Sequence, residues 1–282
     1  LFELAKQLMS IPSTSGEEEA VGFCLRDHLE SFGWTVELQA VSENQNNVIA
    51  YLNESPRVWF STHMDTVPPF IAPSEDDEKI YGRGSCDAKG IIEEERASTG
   101  AKVANEHPIA AKCEYLINGE PTDNDLAIGS KGAFRAKIKT RGKAAHSAYP
   151  EMGDSAIEKL LDILEDVRHT KFPNDEFFGE TTLNLATLDG GIALNVIPPN
   201  AECGLLIRLT TPMEPIRDAL ENLIRDRGEL EIMSYSLPVK MLAVDGFEQK
   251  VVRFTTDIPH LGKWRQPLLM GPGYPYLVVE DV

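Results

Sequence analysis

Val58-Trp59-Phe60-Ser61-Thr62-His63-Met64-Asp65 is an apolar run that ends on a histidine and an aspartate two residues apart. In a strand, residues i and i+2 share a face. If the strand continues to Asp65, the His63 imidazole and the Asp65 carboxylate converge. A neutral imidazole beside carboxylates suits zinc or a similar divalent ion. Further on, Gly82-Arg83-Gly84-Ser85-Cys86-Asp87-Ala88-Lys89-Gly90 sets a second aspartate in a glycine-rich turn. Such a turn lets the backbone come close to an ion, so Asp87 could bridge two of them.

The surrounding elements set the fold class. Leu1 to Met9 carries apolar residues at helical spacing, and Ser15 with Glu18 has the pattern of a capping box. The helix that follows runs to Phe32, with Gly33 as terminator. Trp34–Leu38 and Asn47–Leu52 read as strands, and Val58–His63 as a buried third. Helices alternating with apolar strands predict an α/β sheet, in which ligands gather at the carboxyl ends of strands. His63 falls at such an end.

The pattern changes after Gly129. Ala133–Thr140 alternates as a half-exposed strand. Ser155–Arg168 is an amphipathic helix with Ile157, Leu160, Leu161 and Leu164 on one face. Thr181–Leu188 and Glu202–Leu209 read as strands, Pro215–Arg227 as a second helix and Glu229–Tyr235 as a last strand. The expectation is a central mixed sheet flanked by helices, built from residues 1–129 and 238–282. An α+β block of four strands and two helices, residues 130–237, is inserted into it.

The formal charge of −18, from 27 basic and 45 acidic residues, argues against nucleic acid or an anionic membrane as partner. Cys24, Cys86, Cys113 and Cys203 are scattered without paired spacing and read as reduced thiols. No run reaches the length of a membrane-spanning helix, and no signal peptide is visible. The cytoplasm is the expected compartment.

Further motifs follow in order: Glu93-Glu94-Glu95 before Gly100, Asn118-Gly119-Glu120-Pro121-Thr122, Gly142-Lys143-Ala144-Ala145-His146-Ser147, Asn195-Val196-Ile197-Pro198, Arg208, and Gly271-Pro272-Gly273. The ordered set resembles the family of co-catalytic zinc hydrolases that includes acetylornithine deacetylase, succinyl-diaminopimelate desuccinylase, aminoacylase and carboxypeptidase G. The resemblance covers nearly the whole chain. It implies a zinc-aminopeptidase-like catalytic domain with an inserted lid and dimerisation domain, two divalent metal ions (zinc, with cobalt or manganese as alternatives), and a homodimer formed through the lid.

It also implies roles. His63 and Glu120 would bind one metal, Asp87 would bridge both and Glu95 would bind the second. Glu94 would be the general base, and Asp65 would orient His63. Counting back from Gly100 gives this register; counting from the front of the triple glutamate gives Glu93 as base and Glu94 as ligand. His146 would come from the partner subunit to stabilise the oxyanion. Asn195 and Arg208 would hold a substrate carboxylate, a task that suits a guanidinium, although Arg208 could equally pair with an acidic neighbour on its own sheet. Gly271 and Gly273 would line the substrate pocket or form a plain turn. His28, His107, His169 and His260 read as structural or exposed.

Two departures stand out. The pattern has a helix and a strand between the bridging aspartate and the glutamate pair, but here Ile91-Ile92 runs straight into Glu93. A bare parallel crossover needs about a dozen residues. The pattern's last metal-binding histidine, shortly after Gly-Pro-Gly, has no counterpart after Gly273. Because the flanking motifs are intact, the complete protein is expected to carry both segments. The expected function is metal-dependent hydrolysis of the amide bond of an N-acyl amino acid, in the manner of acetylornithine deacetylase. The alternatives are a dipeptidase or desuccinylase on the same scaffold, or a binding protein that has lost the second metal and with it catalysis.

Overall fold

The computed structural model describes residues 2–66, 68–77, 80–85 and 99–273. The chain divides into two compact units. One comprises Leu1–Ile128, Lys240–Lys250 and Thr256–Val282; the other comprises Gly129–Val239 and Val251–Thr255.

The first unit opens with helices α1 (Phe2–Met9) and α2 (Glu19–Ser31). Gly33, at φ +80°, follows the end of α2, and its N–H bonds to the carbonyl of Glu30 at 2.9 Å. The expected capping box does not form. Glu18 is the N-cap residue without a side-chain cap, and its Oε1 accepts from the Gly16 N–H at 2.7 Å. Strands β1 (Thr35–Ser42) and β2 (Gln45–Tyr51) make an antiparallel hairpin. Then come β3 (Val58–Ser61), the two-residue strands β4 (Ser74–Glu75) and β5 (Ile80–Tyr81), α3 (Thr99–Asn105), β6 (Tyr115–Asn118) and β7 (Leu126–Ser130).

In the second unit the order is β8 (Ala133–Arg141), α4 (Ala156–His169), β9 (Thr182–Gly190), β10 (Asn200–Arg208), α5 (Glu214–Ile224) and β11 (Glu229–Ser236). The chain then adds β12 (Val239–Lys240), β13 (Gln249–Val252) and β14 (Gln266–Leu269).

The larger sheet runs β12, β7, β14, β6, β3, with β13 also paired to β7. Both β3 and β14 lie parallel to β6. Beneath β6, Leu116 packs with Ala110, Cys113, Leu261 and Trp264, and Trp59 stacks obliquely on Trp264 at 4.9 Å. The expectation of a buried third strand is corrected here. β3 is an edge strand among the described residues, and Val58 and Phe60 are exposed. It also ends at Ser61, short of His63.

In the second unit four antiparallel strands in the order β11, β8, β10, β9 carry both helices on one face. Alternation decides which side chains go inward: Phe134, Ala136 and Ile138 of β8 and Cys203, Leu205 and Ile207 of β10 are buried against α4 and α5. The Ser155 hydroxyl caps α4 by accepting from the Glu158 N–H. The buried face of α4 is Leu160, Ile163, Leu164 and Val167. Leu161, expected on that face, is 48% exposed, because one residue step turns the helix about 100° from Leu160.

Candidate metal centre

The geometry begins with register. Ser61 of β3 and Leu269 of β14 both stand opposite Asn118 of β6. All three strands are parallel here, so the residues two positions further on, His63, Glu120 and Gly271, leave the sheet at the same end. The ladder extends past the strands: the Gly119 N–H bonds to the Ser61 carbonyl at 2.7 Å, and the Thr62 hydroxyl donates to the Gly119 carbonyl at 3.1 Å. The Met270 N–H reaches the Asn118 carbonyl at 3.1 Å. These bonds fix the backbone beneath His63 and Glu120.

His63 Nε2 lies 3.6 Å from Glu120 Oε2. The Glu120 side chain is 3% exposed and that of His63 14%. The spacing exceeds a hydrogen bond. It suits two donors on one ion, since bonds of about 2.0–2.1 Å meeting near the tetrahedral angle leave ligand atoms about 3.3 Å apart. On the other side of the ring, His63 Nδ1 is 3.2 Å from Asp65 Oδ1. That pairing leaves Nε2 to face Glu120. The two meet although the strand ends at Ser61, short of both.

One participant was absent from the sequence reading. The Ser15 hydroxyl donates to Asp65 Oδ2 at 2.6 Å. The Thr66 N–H bonds to the Ser13 carbonyl at 2.7 Å, and Thr14 bridges Thr66. The segment before α2 therefore braces the Asp65 carboxylate. The Ser15–Glu18 spacing that suggested a cap gave no hint of this.

Gly271 is positioned by exclusion. A Cβ there would sit 2.5 Å from the Glu120 carbonyl oxygen, so only glycine fits. Its N–H donates to the Thr122 hydroxyl at 3.1 Å. The Thr122 and Asn124 N–H groups bond to the Gly271 carbonyl, and that of Asp123 bonds to the Gly273 carbonyl. The Gly-Pro-Gly loop thus clamps the Glu120 turn.

Asp87, Glu93, Glu94 and Glu95 lie outside the described residues. Among the described residues no group of three or more His, Cys, Asp or Glu side chains is gathered to hold a metal. His63 and Glu120 fit as two donors to a single ion. His146, Asn195 and Arg208 belong to the second unit. His146 and Asn195 are exposed and come from two loops tied together, with His146 bridging Val196 and the Ser147 N–H bonded to the Asn195 carbonyl at 2.9 Å. Arg208 is half-buried, and its Nη1 donates to the Thr255 hydroxyl at 3.2 Å. Burial, and then the charge of Arg135, press its pKa below the usual guanidinium value. No acidic neighbour among the described residues pairs with it.

Comparison with known proteins adds the family. Residues 59–92 match the model of peptidase family M20/M25/M40, and residues 128–229 match a peptidase dimerisation domain. A peptidase M20 domain-containing protein of Schizosaccharomyces pombe is 37% identical over 97% of this chain and 77% of its own length. The chain belongs to the M20 peptidase family. A probable carboxypeptidase of Aspergillus terreus is 33% identical over 91% of this chain and 73% of its own. The fold is that of a solved tripeptidase from Staphylococcus aureus, with a TM-score of 0.73 at 16% identity over 98% of this chain and 90% of that one. The M20 family consists of hydrolases acting on peptide bonds and includes dinuclear metal-binding peptidases. The alignment with the S. pombe relative runs over 309 positions yet uses 97% of this 282-residue chain, so about 35 of those positions stand opposite gaps here. The M20 match ends at Ile92, the residue after which the helix and strand are missing from the sequence pattern.

Proposed function

We propose that this chain is a metal-dependent hydrolase that cleaves the amide bond next to a free carboxylate, in a short peptide or an N-acyl amino acid. The observation that carries the reading is the convergence of His63 and Glu120, 3.6 Å apart at the ends of adjacent parallel strands. His63 and Glu120 would hold one ion, Asp87 would bridge to a second, and Glu95 would ligate that second ion. The ions, zinc in the first instance with cobalt or manganese as alternatives, would polarise the scissile carbonyl and acidify water.

The remaining roles fall to the protein. Glu94 takes up the proton of the attacking water and passes it to the leaving nitrogen. Asp65 fixes the tautomer and orientation of His63 through Nδ1. Asn195 and Arg208 bind the substrate carboxylate, Gly273 lines the pocket, and His146 of a second copy stabilises the oxyanion in a homodimer built on the dimerisation domain. Similarity to the probable carboxypeptidase of A. terreus favours a carboxypeptidase-type reaction over the acetylornithine deacetylase-like one. The scissile amide and free carboxylate are common to both.

The test is a panel of dipeptides, tripeptides, acetylornithine and succinyl-diaminopimelate, offered to protein loaded with zinc, cobalt or manganese. Release of free amine from at least one class, abolished by Glu94→Gln, is the expected result. No release from any member with any metal would overturn the reading.

A further inference from the structure

The face of the four-stranded sheet turned away from α4 and α5 carries, at one end, a pair of cations with no carboxylate opposite them. Arg135, Lys137 and Lys139 of β8 share this face with Asp189 of β9, Glu202 and Arg208 of β10, and Glu229 and Glu231 of β11, and these acids gather at the Lys137–Lys139 end. Two of the four cations are neutralised across strands: Lys137 meets Glu202 at 3.0 Å, and Lys139 meets Glu231. The other two are not. Leu206 stands opposite Arg135, which makes Arg208 the diagonal neighbour of Arg135 on the same face. Diagonal positions lie about 7–8 Å apart, within reach of two long side chains.

Among the described residues neither guanidinium pairs with a carboxylate, and the recorded partner of Arg208 is the neutral hydroxyl of Thr255. The Thr255 hydroxyl in turn donates to the Lys131 carbonyl at 3.2 Å. In a chain of formal charge −18, half-buried cations side by side without counter-charge are costly unless an anion joins them.

We propose that Arg135 and Arg208 together receive a substrate residue bearing two carboxylates, that is, an acidic residue at the C-terminus of a peptide or under an N-acyl group. The assignment rests on the hydrolase reading above and adds to it the substrate class and a specificity-determining residue, Arg135. A single carboxylate would leave one of the two positive charges uncompensated; an acidic residue balances both, with forked hydrogen bonds available from each guanidinium.

The experiment compares kcat/KM for matched dipeptides that end in glutamate or glutamine, with metal-loaded wild type, Arg135→Gln and Arg135→Lys. Wild type should favour the glutamate peptide by about tenfold or more, expressed in KM. Arg135→Gln should reduce the preference to within about twofold, and Arg135→Lys, which keeps the charge, should restore part of it. A parallel arm measures calorimetric binding of glutarate and of its monoamide to wild type and Arg135→Gln. Turnover with an unchanged glutamate preference in Arg135→Gln would overturn the proposal and leave the hydrolase reading intact. No turnover, but glutarate binding that depends on Arg135, would sustain the anion receptor while the hydrolase reading fails. Neither discrimination nor Arg135-dependent binding would end the proposal.

Discussion

The Ser15 hydroxyl donates a 2.6 Å hydrogen bond to Asp65 Oδ2. Asp65 spends its other oxygen on His63 Nδ1, so Ser15 acts on the imidazole through the carboxylate between them. Ser15→Ala should lower metal affinity by about tenfold, and Asp65→Asn by about 10–100-fold, as removal of partners that orient ligands does. Zinc titration against a chromophoric chelator reads both. Unchanged affinity in Asp65→Asn would dissociate this hydrogen-bonded chain from metal binding.

Gly271 should tolerate no side chain. A Cβ 2.5 Å from the Glu120 carbonyl must displace backbone rather than a flexible side chain. Gly271→Ala is expected to cost about 1–3 kcal/mol of stability and to weaken metal uptake as well, because the Glu120 turn moves. Thermal denaturation with and without zinc separates the two effects. A wild-type Tm would show that the loop yields without strain.

His260 offers a pH test independent of the metal. Burial, and next the charge of Lys102, push its pKa below the ordinary histidine value of 6.5, while Asp257 opposes them. Its folded pKa is thus below its unfolded one, and the unfolded chain binds the proton first. Stability attached to the neutral ring is complete above pH 6.5 and falls as pH drops from there toward the folded pKa. His260→Gln should therefore narrow its Tm deficit against wild type as pH is lowered from 7.5 through 6.5 and below. A deficit constant across that range would contradict the burial effect.

Much of the second unit was readable because its information is local. β8 and β10 alternate and the helices repeat at 3.6 residues, so the order of four strands and two helices follows from neighbouring residues. The misassignment of Leu161 shows where that stops: a Leu160-Leu161 pair is ambiguous until the sheet selects Ile163 and Val167 as the companions of Leu160. In the candidate centre, His63 with Asp65 was legible because they stand two positions apart. The approach of Glu120 was available only through the family resemblance and not from local pattern, since it depends on the pairing of Ser61 with Asn118 across 57 positions. Ser15 was misread because the same spacing serves a helix cap. The edge position of β3 depends on partners that a single strand's composition does not specify.

The central claim is that His63 and Glu120 share one divalent ion, and metal stoichiometry tests it most directly. Elemental analysis after gel filtration from excess zinc should find that the double variant His63→Ala, Glu120→Gln carries one fewer equivalent than wild type, with its secondary structure unchanged by circular dichroism. Equal zinc content in wild type and the double variant would contradict the account.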